Sequence, residues 1–324
     1  MNTRLVFAGE AIVDLVMRVP ALPERGGDML AASSSIQVGG GFNIMAAAAR
    51  QGLPVVYAGG HGTGLWGDRV RAALAAEGIA VLRRPDPEAD TGFDVALVEA
   101  DGERTFVTSL GAETLREPGA WDQVRVRAGD IVYVSGYGLV VPESGAVLGA
   151  WAAALPPAAL LFTDPGPLVA DIPAAVLGPV LSRSDWWSCN QREAALLTES
   201  SDPVEAARRL ARRTGRAGVI VRAGPSGCVL ALRGPSSTGA AQPGLSLSDI
   251  PAPAVTAVDT TGAGDAHAGV FLAGLAAGLP PAAAARRANA AAALAVTRAG
   301  PATSPSRAEL DQFLAQGGPP VPRR

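Results

Sequence analysis

Lysine is absent from this 324-residue chain, whose 27 basic side chains are all arginine. That removes the P-loop lysine, Schiff-base catalysis and pyridoxal-phosphate attachment together, so a bound phosphate must be met by backbone, arginine or metal. Cysteine and histidine are scarce: Cys189 and Cys228 stand far apart beside apolar strands, and His61 and His267 are the only histidines. Two reduced core thiols are expected, with no disulfide and no zinc site. Long uninterrupted apolar runs are missing as well. The N-terminal run is cut by Glu10 and Asp14, unlike a signal peptide, and residues 145–162 are broken by Pro156 and Pro157. A cytoplasmic chain without a membrane span is therefore expected. A formal charge of -3 with dispersed arginines leaves no footprint for nucleic acid. The group Arg208, Arg209, Arg212 and Arg213 has helical spacing and reads as a solvated face.

What the chain does have is apolar content, 48% of its residues, enough to bury a full core as one large α/β domain or two smaller ones. Short apolar runs at residues 4–8, 54–59, 130–135, 159–164, 185–189, 218–222 and 228–232 read as strands, with helical stretches between most of them. This alternation predicts a mainly parallel sheet with helices on both faces. Two stretches break the pattern, residues 11–38 and 91–109, the second reading as a hairpin that turns at Asp101-Gly102. Together they make a small separate sheet, either an ordinary surface feature or a lid over a site from which water must be excluded. The division expected is a core of residues 1–10, 39–90 and 110–318 and a lid of residues 11–38 and 91–109. Residues 235–253 are rich in Gly, Ser, Pro and Ala and read as a loop, and the tail GGPPVPRR is expected to fray.

The segment DTTGAGDAHAG, residues 259–269, places carboxylates at both ends of a turn that opens a long Ala/Gly-rich helix. Gly262 and Gly264 permit backbone conformations that aim successive N–H groups into one concavity. The helix expected from about Asp265 adds the positive end of its dipole. Such a nest, with Ala263 between the glycines, holds anionic oxygens without any charged side chain. Asp265 would repel a phosphate beside it unless it has another task, such as taking a proton from an attacking hydroxyl. Residues 266–279 are apolar enough to be core, but a plain loop into a core helix has no need of Asp at both ends.

Three further motifs carry chemistry. GGGFN, residues 39–43, precedes a helix, so it admits close approach by a small polar ligand, or else it is a Gly-rich turn with Asn43 as N-cap. Asn190 and Glu193 follow a strand and share one helix face; the pair fits either the water shell of Mg²⁺ near phosphates or a capping box. Gly62, Gly64 and Gly67 form GxGxxG between a strand and a helix, with Arg83 and Arg84 placed to read a 2′-phosphate. That is an NADP fingerprint, although no acid/base constellation for hydride transfer accompanies it.

Taken in order and spacing, the GEAIVD start, GGGFN, NQRE, VRAGPSG and DTTGAGDAHAG resemble the ribokinase, or PfkB, family of carbohydrate kinases over nearly the whole chain. The resemblance implies an α/β fold with a three-layer α/β/α core and a β-sheet lid, often shared in a homodimer. It implies ATP and a small sugar as substrates, Mg²⁺, and a monovalent cation such as K⁺. By matching position it assigns Asp265 as catalytic base and Gly262, Ala263 and Gly264 as anion hole. Asp14, Gly40, Gly41 and Asn43 would hold sugar hydroxyls. Asn190 and Glu193 would support Mg²⁺ through water, while Gly224, Ser226, Gly227 and Asn289 would line the nucleotide. Asp259, Thr261, Gly300 and Ser304 match positions that bind the monovalent cation. Gly9-Glu10 at the start and the missing lysine favour an unphosphorylated sugar or a nucleoside over a sugar phosphate. Arg222 stands where many relatives carry Thr. Beside a sugar kinase, a nucleoside kinase, an NADP-dependent oxidoreductase and a catalytically silent sugar binder remain as alternatives.

Overall fold

Strands covered by helices on both faces have no polar side to show, so they appear in the sequence as short continuous runs of Val, Ile, Leu and Phe. The computed structural model describes residues 3–100, 103–115, 117–214, 216–234 and 244–316. In chain order the strands are β1 (Leu5–Ala8), β2 (Ala11–Arg18), β3 (Ser33–Gly40), β4 (Val55–Tyr57), β5 (Ala80–Val81), β6 (Phe93–Val98), β7 (Arg104–Ser109), β8 (Ile131–Ser135), β9 (Leu160–Asp164), β10 (Trp186–Asn190), β11 (Gly218–Arg222), β12 (Cys228–Arg233) and β13 (Leu245–Ile250). The helices are α1 (Phe42–Arg50), α2 (Leu65–Ala76), α3 (Gly136–Val140), α4 (Ser144–Ala153), α5 (Ala174–Arg183), α6 (Gln191–Thr198), α7 (Pro203–Thr214), α8 (Ala263–Ala276), α9 (Pro281–Ala295) and α10 (Arg307–Ala315).

The main sheet has the order β13-β12-β11-β10-β9-β8-β1-β4-β5 and is parallel from β11 to β5; β12 runs antiparallel to both neighbours. Leu5, Phe7 and Tyr133 face a cluster shared with α1, α8 and α9, while Val6, Val132 and Val134 face Leu148, Ala152 and Val180 of α4 and α5. This is the three-layer arrangement expected. One expectation fails: residues 245–250 are a strand, β13, because Ser and Asp alternate there with Leu and Ile at an edge that tolerates a polar face. Within that stretch residues 235–243 lie outside the described residues, as do the expected Asp101-Gly102 turn and the tail.

The second sheet has the order β3-β2-β6-β7, with β2 and β6 parallel and the outer pairs antiparallel. It stands apart from the main sheet and matches the lid expected from the two irregular stretches. Both cysteines are free and buried, and Trp186 and Trp187 pack in the core. Among the described residues no helix is long and apolar enough to cross a membrane.

Two features fix the head of α8. An aromatic row runs under it from Phe7 to Tyr133 (4.9 Å between centroids), Phe162 (5.5 Å) and Phe271 (6.2 Å), with Trp186 edge-on to Phe271 at 5.0 Å. On the other side α1 crosses α8 at Gly269, where a Cβ would lie 2.5 Å from the Ile44 carbonyl oxygen and 2.6 Å from the Ala47 Cβ. The Ala/Gly richness of α8 is thus a packing requirement. Gly269→Ala is expected to lower stability by about 1–3 kcal/mol through overpacking, seen as a lower urea midpoint at unchanged m-value. An unchanged midpoint would show that the helices are not in tight contact there.

Candidate active site

Parallel strands β1, β8, β9, β10 and β11 end on one edge of the main sheet, and Glu10, Ser135, Asp164, Asn190 and Arg222 lie at or just beyond those ends. Open α/β sheets take their ligands at this edge. The turn before α8 opens onto it. Gly262 caps the helix with φ of 72°, and a Cβ there would meet the Pro301 carbonyl oxygen at 2.1 Å, so only glycine fits. The helix begins at Ala263, two residues earlier than expected, which puts Asp265 in its first turn. A Cβ at Gly264 would meet nothing nearer, beyond its own helix, than the Arg222 guanidinium at 3.6 Å, so the concavity is open and a cation borders it.

Asp265 Oδ2 accepts a hydrogen bond from Asn43 Nδ2 at 2.9 Å. Burial pushes the Asp265 carboxyl up to about 6, the Asn43 bond and Arg222 opposing and Asp164 adding to the rise. Asn43 is the second residue of α1, not its cap: Gly41 occupies the N-cap position without any side-chain bond, so the capping alternative for GGGFN falls. The Asn43 Oδ1 is buried and has no partner. Asp14 lies midway along β2, its carboxylate filling the place a Cβ on Gly39 would take. Burial, then Asp94 and Asp265, raise Asp14 to about 7. Gly40 ends β3 with φ of 58°, and the Gly41 N–H donates to the Glu10 carbonyl at 2.9 Å. The structure thus gathers Asp14, Gly40, Gly41, Asn43 and Asp265 at one place.

Asn190 and Glu193 form a complete capping box on α6: Glu193 accepts from the Asn190 N–H and from its amide, both at 2.7 Å, and Asn190 accepts from the Glu193 N–H at 2.9 Å. Each Glu193 oxygen thus accepts one hydrogen bond within the box and keeps a lone pair. Arg222 bridges Asp164 and Ser188, both at 2.6 Å, with Glu193 at 3.7 Å. Burial alone would lower the Arg222 pKa, but Asp164 and Glu193 hold it firmly protonated. Gly224 and Ser226 form a single 3₁₀ turn after β11, with φ of 55° at Gly224 and 95° at Gly227. Asn289 is 4% exposed and gives its amide to the carbonyls of Ile250 and Pro251, at 2.7 and 3.3 Å. It holds the end of β13 and does not stand in the open cleft.

Asp259 gathers Thr261 (N–H 2.9 Å, hydroxyl 2.5 Å) and the Gly300 N–H (3.1 Å), and Arg104 of the lid pairs with it at 2.8 Å. Ser304, further along the loop of Gly300, has a buried hydroxyl without a partner. No group of three or more His, Cys, Asp or Glu suited to caging a metal occurs among the described residues.

The GxGxxG reading meets a physical obstacle. Asp90 accepts from the Trp66 and Gly67 N–H groups at 3.0 and 2.8 Å, so the start of α2 already holds the protein's own carboxylate where a pyrophosphate would sit. Arg83 is turned to the Ala58 and Ala120 carbonyls and lies over Trp121. Sequence reasoning also passed over three carboxylates. Glu10 bonds the Ser135 hydroxyl at 3.0 Å, and its second oxygen is buried without a partner; burial, chiefly, raises it to about 7. Asp164 pairs with Arg222, and Asp94 lies beside Asp14 in the lid. The signal for Asp164 was a charge at the C-terminal end of an apolar strand.

The model of pfkB family carbohydrate kinases matches residues 2–308. This chain belongs to that family. An uncharacterised sugar kinase, YegV, of Escherichia coli (strain K12) is 34% identical to this kinase over 310 residues, covering 94% of the chain and 92% of the relative. A fructokinase of Klebsiella pneumoniae is 30% identical over 295 residues, covering 86% and 87%. The structure of an Arabidopsis thaliana ribokinase complexed with ribose and ATP shares the fold, with a TM-score of 0.75 at 24% identity over 97% of this chain and 99% of that one.

In this kinase the Asn43 bond favours the ionised form of Asp265. Asn43→Ala is expected to raise the Asp265 carboxyl pKa further above 6, measured by a carboxyl-carbon NMR titration of the ligand-free protein. A lower or unmoved value would show that the bond does not act on the charge.

Proposed function

We propose that this carbohydrate kinase transfers the γ-phosphoryl group of ATP to a hydroxyl of a small unphosphorylated sugar. The observation that carries this is Asp265: a carboxylate oriented by Asn43 in the first turn of α8, beside an open glycine nest. Asp14, Gly40, Gly41 and Asn43 hold sugar hydroxyls so that one of them meets Asp265, which accepts its proton. The amides of Gly262, Ala263 and Gly264, with the positive end of α8, stabilise the charge that grows on the transferring group. Arg222, pinned by Asp164 and Glu193 near Gly264, adds a fixed cation at that place. The chain's lack of lysine leaves no ammonium in the Gly-Gly segment to receive a sugar phosphate.

Gly224, Ser226 and Gly227 line the nucleotide, and Asn289 shapes that wall by holding β13. Mg²⁺, when bound with the nucleotide, neutralises phosphate charge; Glu193, backed by Asn190, would hold it through water. Asp259, Thr261, Gly300 and Ser304 would hold a K⁺ ion, with the orphaned Ser304 hydroxyl as supporting observation. Residues 11–38 and 91–109 act as the lid on a core of residues 1–10, 39–90 and 110–318. The outer lid face exposes Met17, Ile36 and Val107, a surface through which two copies would pair. A cytoplasmic location would supply the ATP.

With the sugar it turns over, Asp265→Asn is expected to lower kcat by about a hundredfold or more while sugar affinity stays within a few-fold. In the parent protein the base form of Asp265 exists above its pKa, so kcat/KM is expected to fall as pH drops through about 6. ADP release measured against pH for both proteins checks this. Near-normal turnover by Asp265→Asn would overturn the assignment of the base.

A further inference from the structure

In a pleated sheet, side chains directly across neighbouring strands share a face. The lid register aligns Thr108, Asp94, Asp14 and Gln37 in one row, and Phe106, Ala96, Val16 and Ser35 in the next. Asp14, Val16, Ala96 and Phe106 line a cleft of about 510 Å³ between the lid and the Asp259–Thr261 turn. Asp94, one row in from Ala96, shares their face of the sheet at the inner end of the cleft without itself lining it. Asp94 is 8% exposed, and its Oδ1 has no hydrogen-bond partner. Among the described residues no protein donor bonds the Asp14 carboxylate. The arginines of this face, Arg18 and Arg104, stand two rows further out, and Arg104 is already paired with Asp259.

Two carboxylates side by side, half-buried or buried and without a cation, weaken a sheet. Burial raises both, Asp14 to about 7 and Asp94 to about 6. Among the described residues no hydrogen bond or ion pair repays that cost, whereas a ligand rich in hydroxyl donors would. Asn43 Oδ1, also buried and unpartnered, adds a third acceptor aimed at the same need. Ionised, the two carboxylates only accept, and even with Asp14 partly protonated near neutral pH an anionic ligand group would meet repulsion from Asp94 there.

We propose that Asp94 is a specificity-determining residue, and that Asp14 and Asp94 together clasp adjacent hydroxyls of an uncharged polyhydroxy substrate, rejecting sugars with a carboxylate or phosphate at that end. This rests on the reading of the cleft as the sugar site of a kinase. Asp94 widens the grip from one hydroxyl to a neighbouring pair. Asp265 then receives the hydroxyl that the pair leaves free.

The test measures binding without nucleotide, so that it stands whether or not turnover is found. D-ribose, D-fructose and D-mannitol serve as neutral probes, D-gluconate and D-ribose 5-phosphate as anionic ones, and D-glucosamine as a cationic one. Calorimetric titration is made with the parent protein, Asp94→Ala and Asp94→Asn, alongside melting of each protein without ligand near neutral pH. The expected result is that a neutral probe binds best and that Asp94→Ala weakens it about ten- to a hundredfold. The same change should raise the ligand-free melting temperature, and a merely structural residue would lower it. Where turnover is measurable, KM rises by a like factor while kcat stays within about threefold. The inference is overturned if Asp94→Ala binds the neutral probe as tightly as the parent, if an anionic or cationic probe binds best, or if no neutral probe binds. Turnover with unchanged KM in Asp94→Ala would sink this inference and leave the kinase reading standing. Tight neutral binding lost in Asp94→Ala without any ADP release would do the reverse.

Discussion

The contact between α1 and α8 is the constraint on which the site depends. No side chain separates the two helices at Gly269, and the Ile44 carbonyl oxygen lies 2.5 Å from where a methyl group would be. That spacing brings Asn43, one residue before Ile44, within 2.9 Å of Asp265, one turn before Gly269. A helix pair held apart by larger side chains would break this bond and leave the carboxylate unoriented. The aromatic row from Phe7 to Phe271 keeps α8 from sinking toward the sheet, so its head is fixed from two directions. Rigid support of this kind is what lets one turn present amides and a carboxylate to the same spot.

Charge is distributed unevenly around that spot. Glu10, Asp14, Asp94 and Asp265 all have carboxyls raised mainly by burial. Arginine is the chain's only basic side chain apart from histidine, and two arginines near the site are locked in place: Arg222 by Asp164 and Ser188, Arg104 by Asp259. The head of α8 therefore has backbone dipoles and a pinned guanidinium beside it, while the Asp14 end is rich in carboxylate acceptors. Such a division suits a charged donor and an uncharged acceptor.

Much of this was legible in the sequence because the cues were local. Strands buried on both faces stand out as apolar runs, and a turn of two glycines between two Asp residues announces its conformation at Gly262. The spacing of Asn190 and Glu193 allowed a capping box or a place beside Mg²⁺ without choosing between them, and the box is there. What stayed hidden depends on partners distant in sequence. The occupant of the GxGxxG turn is Asp90, more than twenty residues downstream. The neighbour of Asp14 is Asp94, set by a parallel register between strands that are not consecutive. Strand β13 was concealed by its Ser content, and the burial of Asn289 follows from the position of that strand. In hindsight the alternation of residues 93–98 placed Asp94 on the face of Ala96 and Val98, a charge where an apolar residue was due.

On the function proposed, a hydroxyl of an unphosphorylated sugar is brought to Asp265 and phosphorylated there. The most direct measurement is ADP release with Mg-ATP and KCl across free sugars, ketoses, sugar acids, nucleosides and sugar phosphates. The account predicts turnover with a neutral free sugar and none with the sugar phosphates. Turnover confined to a sugar phosphate would contradict it, and so would ATP binding without turnover of any compound.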